Sequence, residues 1–291
     1  MNELQIQDFW NRNPCGDMQV GGLQGRSGDY ERFFSDYDRF RYTKEKHILG
    51  CLDGMCLSGK RVLEIGLGQG ADSEQIIRRG ARWSGLDLTS ESVQRVRTRL
   101  SLRKLPYESL EQGSALRMPF EDNTFDLVFS HGVLHHVPDI ETAQREINRV
   151  LKPGGELVIM VYAKWSLNYL FSIAVVRRLG LLLLHTANID REGMIGRHLA
   201  NARAVGIWNY LRLENFVHRN TDGPLNPYSK VYDTRMVVED FPDFRATRSY
   251  KRFMHAPPLR VSWLPLDTVL GWHLWVHLTP VRPLQTRKQS S

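Results

Sequence analysis

The segment Val62-Leu63-Glu64-Ile65-Gly66-Leu67-Gly68-Gln69-Gly70 constrains this chain more than any other, because an apolar strand runs straight into three glycines at alternate positions and then into a helix. Glycine lets the backbone turn sharply and lets a ligand approach the main chain, and the next helix offers unpaired N–H groups at its start. Such a turn builds the floor of a cofactor site. Its spacing argues against a dinucleotide, whose fingerprint G-x-G-x-x-G carries its third glycine one position later. Glu64, at the strand end, suits a ligand with positive charge better than one with a pyrophosphate.

A second acidic residue extends the pattern. Residues 82–86 read as a strand that delivers Asp87, followed by Leu88, 21 residues after Gly66. From that position a carboxylate can accept both hydroxyls of a ribose. A tight turn alone would explain the glycines, and capping alone would explain Glu64 or Asp87; the combination points to an adenosine-type ligand.

Together, Glu64, the glycine turn and Asp87 resemble the binding motifs of class I S-adenosylmethionine-dependent methyltransferases. The resemblance continues through Gly113-Ser114-Ala115-Leu116-Arg117-Met118-Pro119-Phe120, then Phe125-Asp126-Leu127-Val128-Phe129-Ser130-His131-Gly132-Val133-Leu134-His135-His136, then Arg149-Val150-Leu151-Lys152-Pro153-Gly154-Gly155-Glu156-Leu157. These match successive elements of the type 11 branch, in order. The resemblance implies S-adenosylmethionine as cofactor, with S-adenosylhomocysteine as product. It places Glu64, Gly66, Gly68, Gly70, Asp87, Leu88, Ser114, Ala115, Ser130 and His131 around the cofactor. Ser114-Ala115 departs from the family, which usually has Asp beside a small apolar residue there, reaching the adenine amino group.

Alternating apolar strands and helices signal a parallel sheet with helices on both faces. Strands fit 61–65, 82–86, 107–112, 125–130 and 156–162, and helices fit 71–79, 90–100 and 140–150. Two late segments, 247–254 and 272–278, complete a seven-stranded, mostly parallel, Rossmann-like α/β sheet, and the resemblance implies that the last strand is antiparallel. The expected organisation is a helical and loop cap over residues 1–57, the cofactor-binding core over 58–163, a helical insertion over 164–245, and the last strands with a polar tail over 246–291. Residues 13–16 and the glycine-rich 21–28 read as loop, and the end from Gln285 as frayed. In the insertion, 165–184 is a strongly apolar helix candidate and 202–216 a second helix. Arg177 and Arg178 interrupt the apolar run and argue against a membrane span, which leaves a lid over the strand ends or an interfacial helix that touches a membrane surface.

Composition sets the outer limits. The 291 residues are 42% hydrophobic and 24% charged, which is ordinary globular composition. The start lacks a basic segment followed by an apolar one, and the three cysteines, Cys15, Cys51 and Cys56, show no metal-ligand spacing, so a cytoplasmic chain with reduced thiols is expected. The net charge of +7 divides unevenly: residues 1–163 carry 21 Lys/Arg against 23 Asp/Glu, and residues 164–291 carry 18 against 9. The basic residues are scattered in runs no longer than two, which disfavours a nucleic-acid partner. The absence of an Asn/Asp-Pro-Pro-Tyr/Phe motif after the fourth strand also weighs against methylation of base amino groups.

Methyl transfer from a sulfonium needs alignment, exclusion of water and, for some acceptors, removal of a proton. His131 is the first candidate for contact with the reacting centre, at the carboxyl end of the fourth strand. Tyr42 and His47 are candidates for proton handling, and Tyr30, Tyr37, Trp165, Asn168 and Tyr169 for the acceptor chamber. No carboxylate or cysteine falls at a ligand spacing from His135 and His136, so no metal is expected. The expected acceptor is a small metabolite or lipid-like molecule. The rival readings are an RNA or protein methyltransferase using the basic C-terminal region, and a non-catalytic S-adenosylmethionine-binding protein.

Overall fold

A computed structural model of the chain describes residues 2–23 and 28–281, which leaves part of the glycine-rich stretch 21–28 and the end from Gln285 outside the described residues. Seven strands form one sheet: β1 (Arg61–Ile65), β2 (Arg82–Asp87), β3 (Ser109–Gln112), β4 (Phe125–His131), β5 (Leu151–Tyr162), β6 (Phe244–Arg252) and β7 (His273–Pro280). Their order across the sheet is β3-β2-β1-β4-β5-β7-β6. β1 to β5 run parallel, and β7 is antiparallel to both β5 and β6. The sheet reverses its winding between β1 and β4, where ligands of open α/β folds bind.

Alternation along the strands explains why helices cover both faces. Leu63, Val128, Leu157, Ile159, Leu274 and Val276 point to one side, where Ile147 and Val150 of the helix Ile140–Val150 and Val237 of the helix Thr234–Asp240 meet them. Their neighbours Val62, Leu127, Phe129, Val158, Met160 and Trp275 point to the other side, against Ile48, Leu52, Ile76, Val96 and Leu100. Side chains of period two thus serve two separate cores.

The cap contains more helix than expected: Glu3–Arg12, Asp17–Val20, Tyr30–Lys44 and His47–Asp53. Asn2 forms a reciprocal capping box with Gln5 that starts the first of these. Asp17–Val20 lies between the two stretches read as loop, 13–16 and 21–28. The insertion differs in two respects. The expected helix 202–216 is three helices, Gly193–Val205, Ile207–Tyr210 and Leu213–Thr221, because Gly206 takes a left-handed φ of 82° and ends the first. The apolar run forms a π-helical stretch Asn168–Arg177 that continues into Arg178–Thr186. Over Asn168–Thr186 it is 19 residues long with a mean hydropathy of 1.4, long and apolar enough to cross a membrane by length and composition. Arg177 and Arg178 lie within that length. Arg177 turns into the protein, donating to the carbonyls of Pro257 (2.9 Å) and Asn220 (2.7 Å).

Candidate active site

At the carboxyl ends of β1, β2 and β4 lies a cleft holding about 1050 Å³ of empty space including its mouth. Its floor is the turn after β1. Gly66 has φ +79°, and a Cβ there would fall 2.1 Å from Val133 Cγ2, so only glycine fits. Glu64, Gly66, Gly68, Asp87, Leu88, Ala115 and His131 line the cleft together. Gly70, Ser114 and Ser130 do not. Gly70 begins the helix Ala71–Arg78 in a left-handed conformation, with Val96 and Arg99 packed against it. Ser114 Oγ is engaged by Glu3 and by the Leu116 amide. Ser130 is fully buried and donates to the Ile65 carbonyl at 3.2 Å, because strand alternation aims it away from the cleft while its neighbour His131 faces it.

The cleft is furnished for a cationic adenosyl ligand. Asp87 Oδ2 accepts the Leu67 amide at 2.7 Å, and Oδ1 accepts the Thr89 amide and hydroxyl at 2.8 and 2.7 Å. These bonds fix the carboxylate, and each oxygen keeps acceptor capacity for hydroxyl donors. Burial pushes the Asp87 carboxyl above its ordinary range, against the pull of those amides. Glu64 is 2% exposed, accepts from Trp83 Nε1 at 2.8 Å, and is pushed up to about 8, by burial first and then by the charge of Asp72. An uncompensated buried carboxylate beside left-handed glycines fits the amino and sulfonium charges of S-adenosylmethionine.

Sequence reasoning missed the group that holds His131. Asp72, in the first turn of Ala71–Arg78, accepts from Arg41 Nε (3.2 Å) and Nη2 (2.5 Å) and from Tyr42 Oη (3.2 Å). Its Oδ2 lies 2.7 Å from His131 Nδ1. Burial raises the Asp72 carboxyl, but Arg41 and His131 outweigh it and hold the group well below the carboxylate range. His131 Nδ1 also lies 2.6 Å from Arg41 Nη2, so it faces an acceptor in Asp72 and a donor in Arg41, while Nε2 is buried and without a hydrogen-bond partner among the described residues. The imidazole stacks on Trp275 at 5.0 Å. The only local signal for Asp72 was an acid at a helix start, a position where capping is the ordinary explanation.

Tyr42 and His47 are placed differently from their expected proton-handling roles. Tyr42 reaches Asp72 from behind and does not line the cleft, and its hydroxyl is raised by burial and then by the charge of Asp72. His47 Nε2 lies 3.1 Å from His273 Nδ1 in an aromatic cluster with Phe253, and burial followed by the charge of His131 lowers it to about 3. Nor do Tyr30, Trp165, Asn168 and Tyr169 line the cleft. The outer wall comes instead from the cap, through Glu3, Ile6, Trp10, Cys15, Tyr37 and Arg41. The insertion meets the far side of the short 3₁₀ turn Leu134–His136: Lys230 donates its amide to the His135 carbonyl at 2.9 Å, and His136 Nδ1 lies 2.7 Å from the Tyr228 carbonyl. The three cysteines are free thiols.

The chain is similar to known proteins in sequence and in fold. Residues 63–159 match a family described as a methyltransferase domain. The chain is 36% identical over 107 residues to phosphoethanolamine N-methyltransferase 2 of Caenorhabditis elegans, covering 36% of this chain and 24% of that protein. It is 30% identical over 172 residues to the ubiquinone biosynthesis O-methyltransferase of Vibrio cholerae, covering 58% of this chain and 68% of that protein. It is 37% identical over 174 residues to a sterol 24-C-methyltransferase of Schizosaccharomyces pombe, covering 51% and 46%. Several curated relatives are spanned over only about a quarter to a half of their own lengths. Among solved structures, the PH0226 protein of Pyrococcus horikoshii superposes with a TM-score of 0.51 at 16% identity over 84% of this chain and 91% of that one. The cyclase SpnF does so with 0.51 at 16% identity over 85% and 83%. Those two likenesses show the fold, and one of the two proteins is named for a reaction other than methyl transfer.

Proposed function

This chain belongs to the class I S-adenosylmethionine-dependent methyltransferases, in the type 11 branch, and we propose that it transfers the sulfonium methyl group to a small, lipid-like organic acceptor. The observation that carries this reading is the cleft itself, whose floor is polar and acidic at Glu64 and Asp87 and whose outer wall is apolar at Ile6, Trp10, Val133 and Val137. When bound, S-adenosylmethionine supplies a methyl group on an already charged leaving sulfur. Glu64 would balance its positive charge, Asp87 would accept the ribose hydroxyls, and Leu88 and Ala115 would help to hold the adenosyl part, under the cap residues that wall the cleft. His131, held at Nδ1 by Asp72 and Arg41, is the histidine of the β4 end that we assign to contact with the reacting centre. The relatives named for ubiquinone, sterol and fatty-acid methylation support an apolar acceptor.

The test is incubation of the full chain with methyl-labelled S-adenosylmethionine and separate pools of quinols, sterols, fatty acids, RNA and protein. Label should pass into an organic-extractable small molecule. Asp87→Ala should suppress that transfer and weaken donor affinity by about 2 to 4 kcal/mol, roughly thirtyfold to a thousandfold, through lost hydrogen bonds to a charged acceptor. Label found only in RNA or protein would replace the acceptor class. Donor binding without transfer to any pool would leave a binding protein.

A further inference from the structure

We propose that His135, His136 and Asp222 form a binding site for a divalent metal of the zinc class beside the cofactor cleft. Each residue offers one ligand atom, and these atoms all lie within 4.8 Å of one another. The two histidines come from the turn after β4. Asp222 comes from the insertion, at the end of the helix Leu213–Thr221, far away in sequence.

Hydrogen bonding explains why an ion is called for. His135 Nδ1 and Nε2, His136 Nε2 and Asp222 Oδ2 are all buried and have no hydrogen-bond partner among the described residues. Four such atoms in one place run against the rule that buried polar groups are satisfied. The remaining atoms of His136 and Asp222 are used in the way metal ligands are held. His136 Nδ1 is 2.7 Å from the Tyr228 carbonyl, which can only accept, so Nδ1 carries the hydrogen and the lone pair is fixed on Nε2. Asp222 Oδ1 accepts from the Tyr162 hydroxyl at 2.9 Å, which leaves Oδ2 facing the histidines.

The separation of His136 Nε2 from Asp222 Oδ2 is 3.4 Å. That is long for a charge-assisted hydrogen bond. It equals the spacing of about 3.4 Å between two ligands of one tetrahedral ion with bonds near 2.1 Å. A protonated His136 paired with Asp222 is the rival explanation, and it leaves both nitrogens of His135 unanswered. Two imidazoles and one carboxylate suit zinc or a neighbouring transition ion, with a further coordination position left for water or a ligand atom. His136 lines the cleft, so the ion would sit in its wall.

The readout is metal content and spectrum, independent of methyl transfer. The full chain is stripped with a chelator and titrated with Zn²⁺, then with Co²⁺ as a visible probe. Expected are one ion per chain and a Co²⁺ absorption band of four- or five-coordinate intensity. Asp222→Asn should weaken Co²⁺ binding at least about a hundredfold, and Tyr162→Phe, which removes only the outer support of Asp222, about ten- to a hundredfold. Circular dichroism and donor affinity check that both variants are folded. Wild-type protein that takes up less than about a tenth of an equivalent, or a folded Asp222→Asn that binds Co²⁺ as tightly as wild type, overturns the site. Should either variant fail to fold, the stoichiometry and spectrum of the wild-type chain decide.

Discussion

The N-terminal cap adds buried ion pairs with the helices beside the cleft to its apolar anchors Ile48 and Leu52, whereas the insertion after β5 has an apolar cluster of its own. In the cap, Asp17 meets Arg95 (2.9 Å), Asp38 meets Arg99, and Arg41 meets Asp72, with Arg95 and Arg99 almost wholly buried. The same two arginines lie over the rings of Phe33 and Phe34 at 5.6 and 5.1 Å. In the insertion, Ile173, Leu181, Leu199, Tyr210, Phe216 and Val217 form a cluster of their own with Trp272, while Phe171, Leu179 and Leu183 face outward. Directional ion pairs fix the cap in one pose over the cleft and make that pose sensitive to every charge in it. Apolar packing gives the insertion its cohesion.

Removing Arg99 tests that contrast most severely. Arg99→Ala leaves Asp38 and Glu74 without their shared cation, and denaturant unfolding should show a loss of about 3 to 5 kcal/mol, with weaker donor binding because the cap loosens. A loss under about 1 kcal/mol would mean that the cap is not held by charge. Within the insertion, Leu199→Ala removes a residue 1% exposed. It should cost about 2 to 3 kcal/mol. Hydrogen exchange should quicken across residues 193–221, with donor affinity unchanged. Weakened donor binding there would dissolve the distinction between the two covers.

A pH titration sharpens the comparison. Glu64 is raised in the folded, cofactor-free protein from 4.5 to about 8, so its contribution to the stability of that state is fully present below about 4.5 and is lost as pH rises toward 8. The charged form is the one that answers a cation. Donor affinity should therefore climb about tenfold per pH unit up to pH 8 and then level off. Glu64→Gln should bind weakly at every pH and show a flat profile in calorimetry. An unchanged slope in that variant would assign the titration to another group. The smallest effect is expected outside: Leu183→Ser, at a position 68% exposed, should shift stability by no more than about 0.5 kcal/mol.

Much of this fold was legible because its signals are local. The glycine turn, Asp87 and the alternation in β4 and β5 each occupy a few consecutive residues, and five site positions around the floor follow from them. The groups that the sequence did not yield are joined across long separations. Asp72 gains its meaning from Arg41 and His131, and Asp222 from two histidines 86 and 87 positions earlier; no spacing rule connects them. Ser130 and Tyr42 show a second limit. Both are adjacent to the right place in sequence, yet one points across the sheet and the other backs the carboxylate instead of facing the ligand. Gly206 is a helix breaker set within an otherwise helical stretch of sequence.

The strand order also dictates the sequence of events during synthesis. β7 lies between β5 and β6, so the outer half of the sheet cannot zip up until residue 280 has left the ribosome. Until then the β5 edge, with Val158, Ile159, Met160 and Val161, has no neighbour on that side, and β6 has nothing to join. At about 5 to 20 residues per second, the 118 residues between the end of β5 and the end of β7 leave that apolar edge open for roughly 6 to 24 seconds. Nascent chains that stall in this window carry an unprotected strand, and they are the species on which chaperones would act.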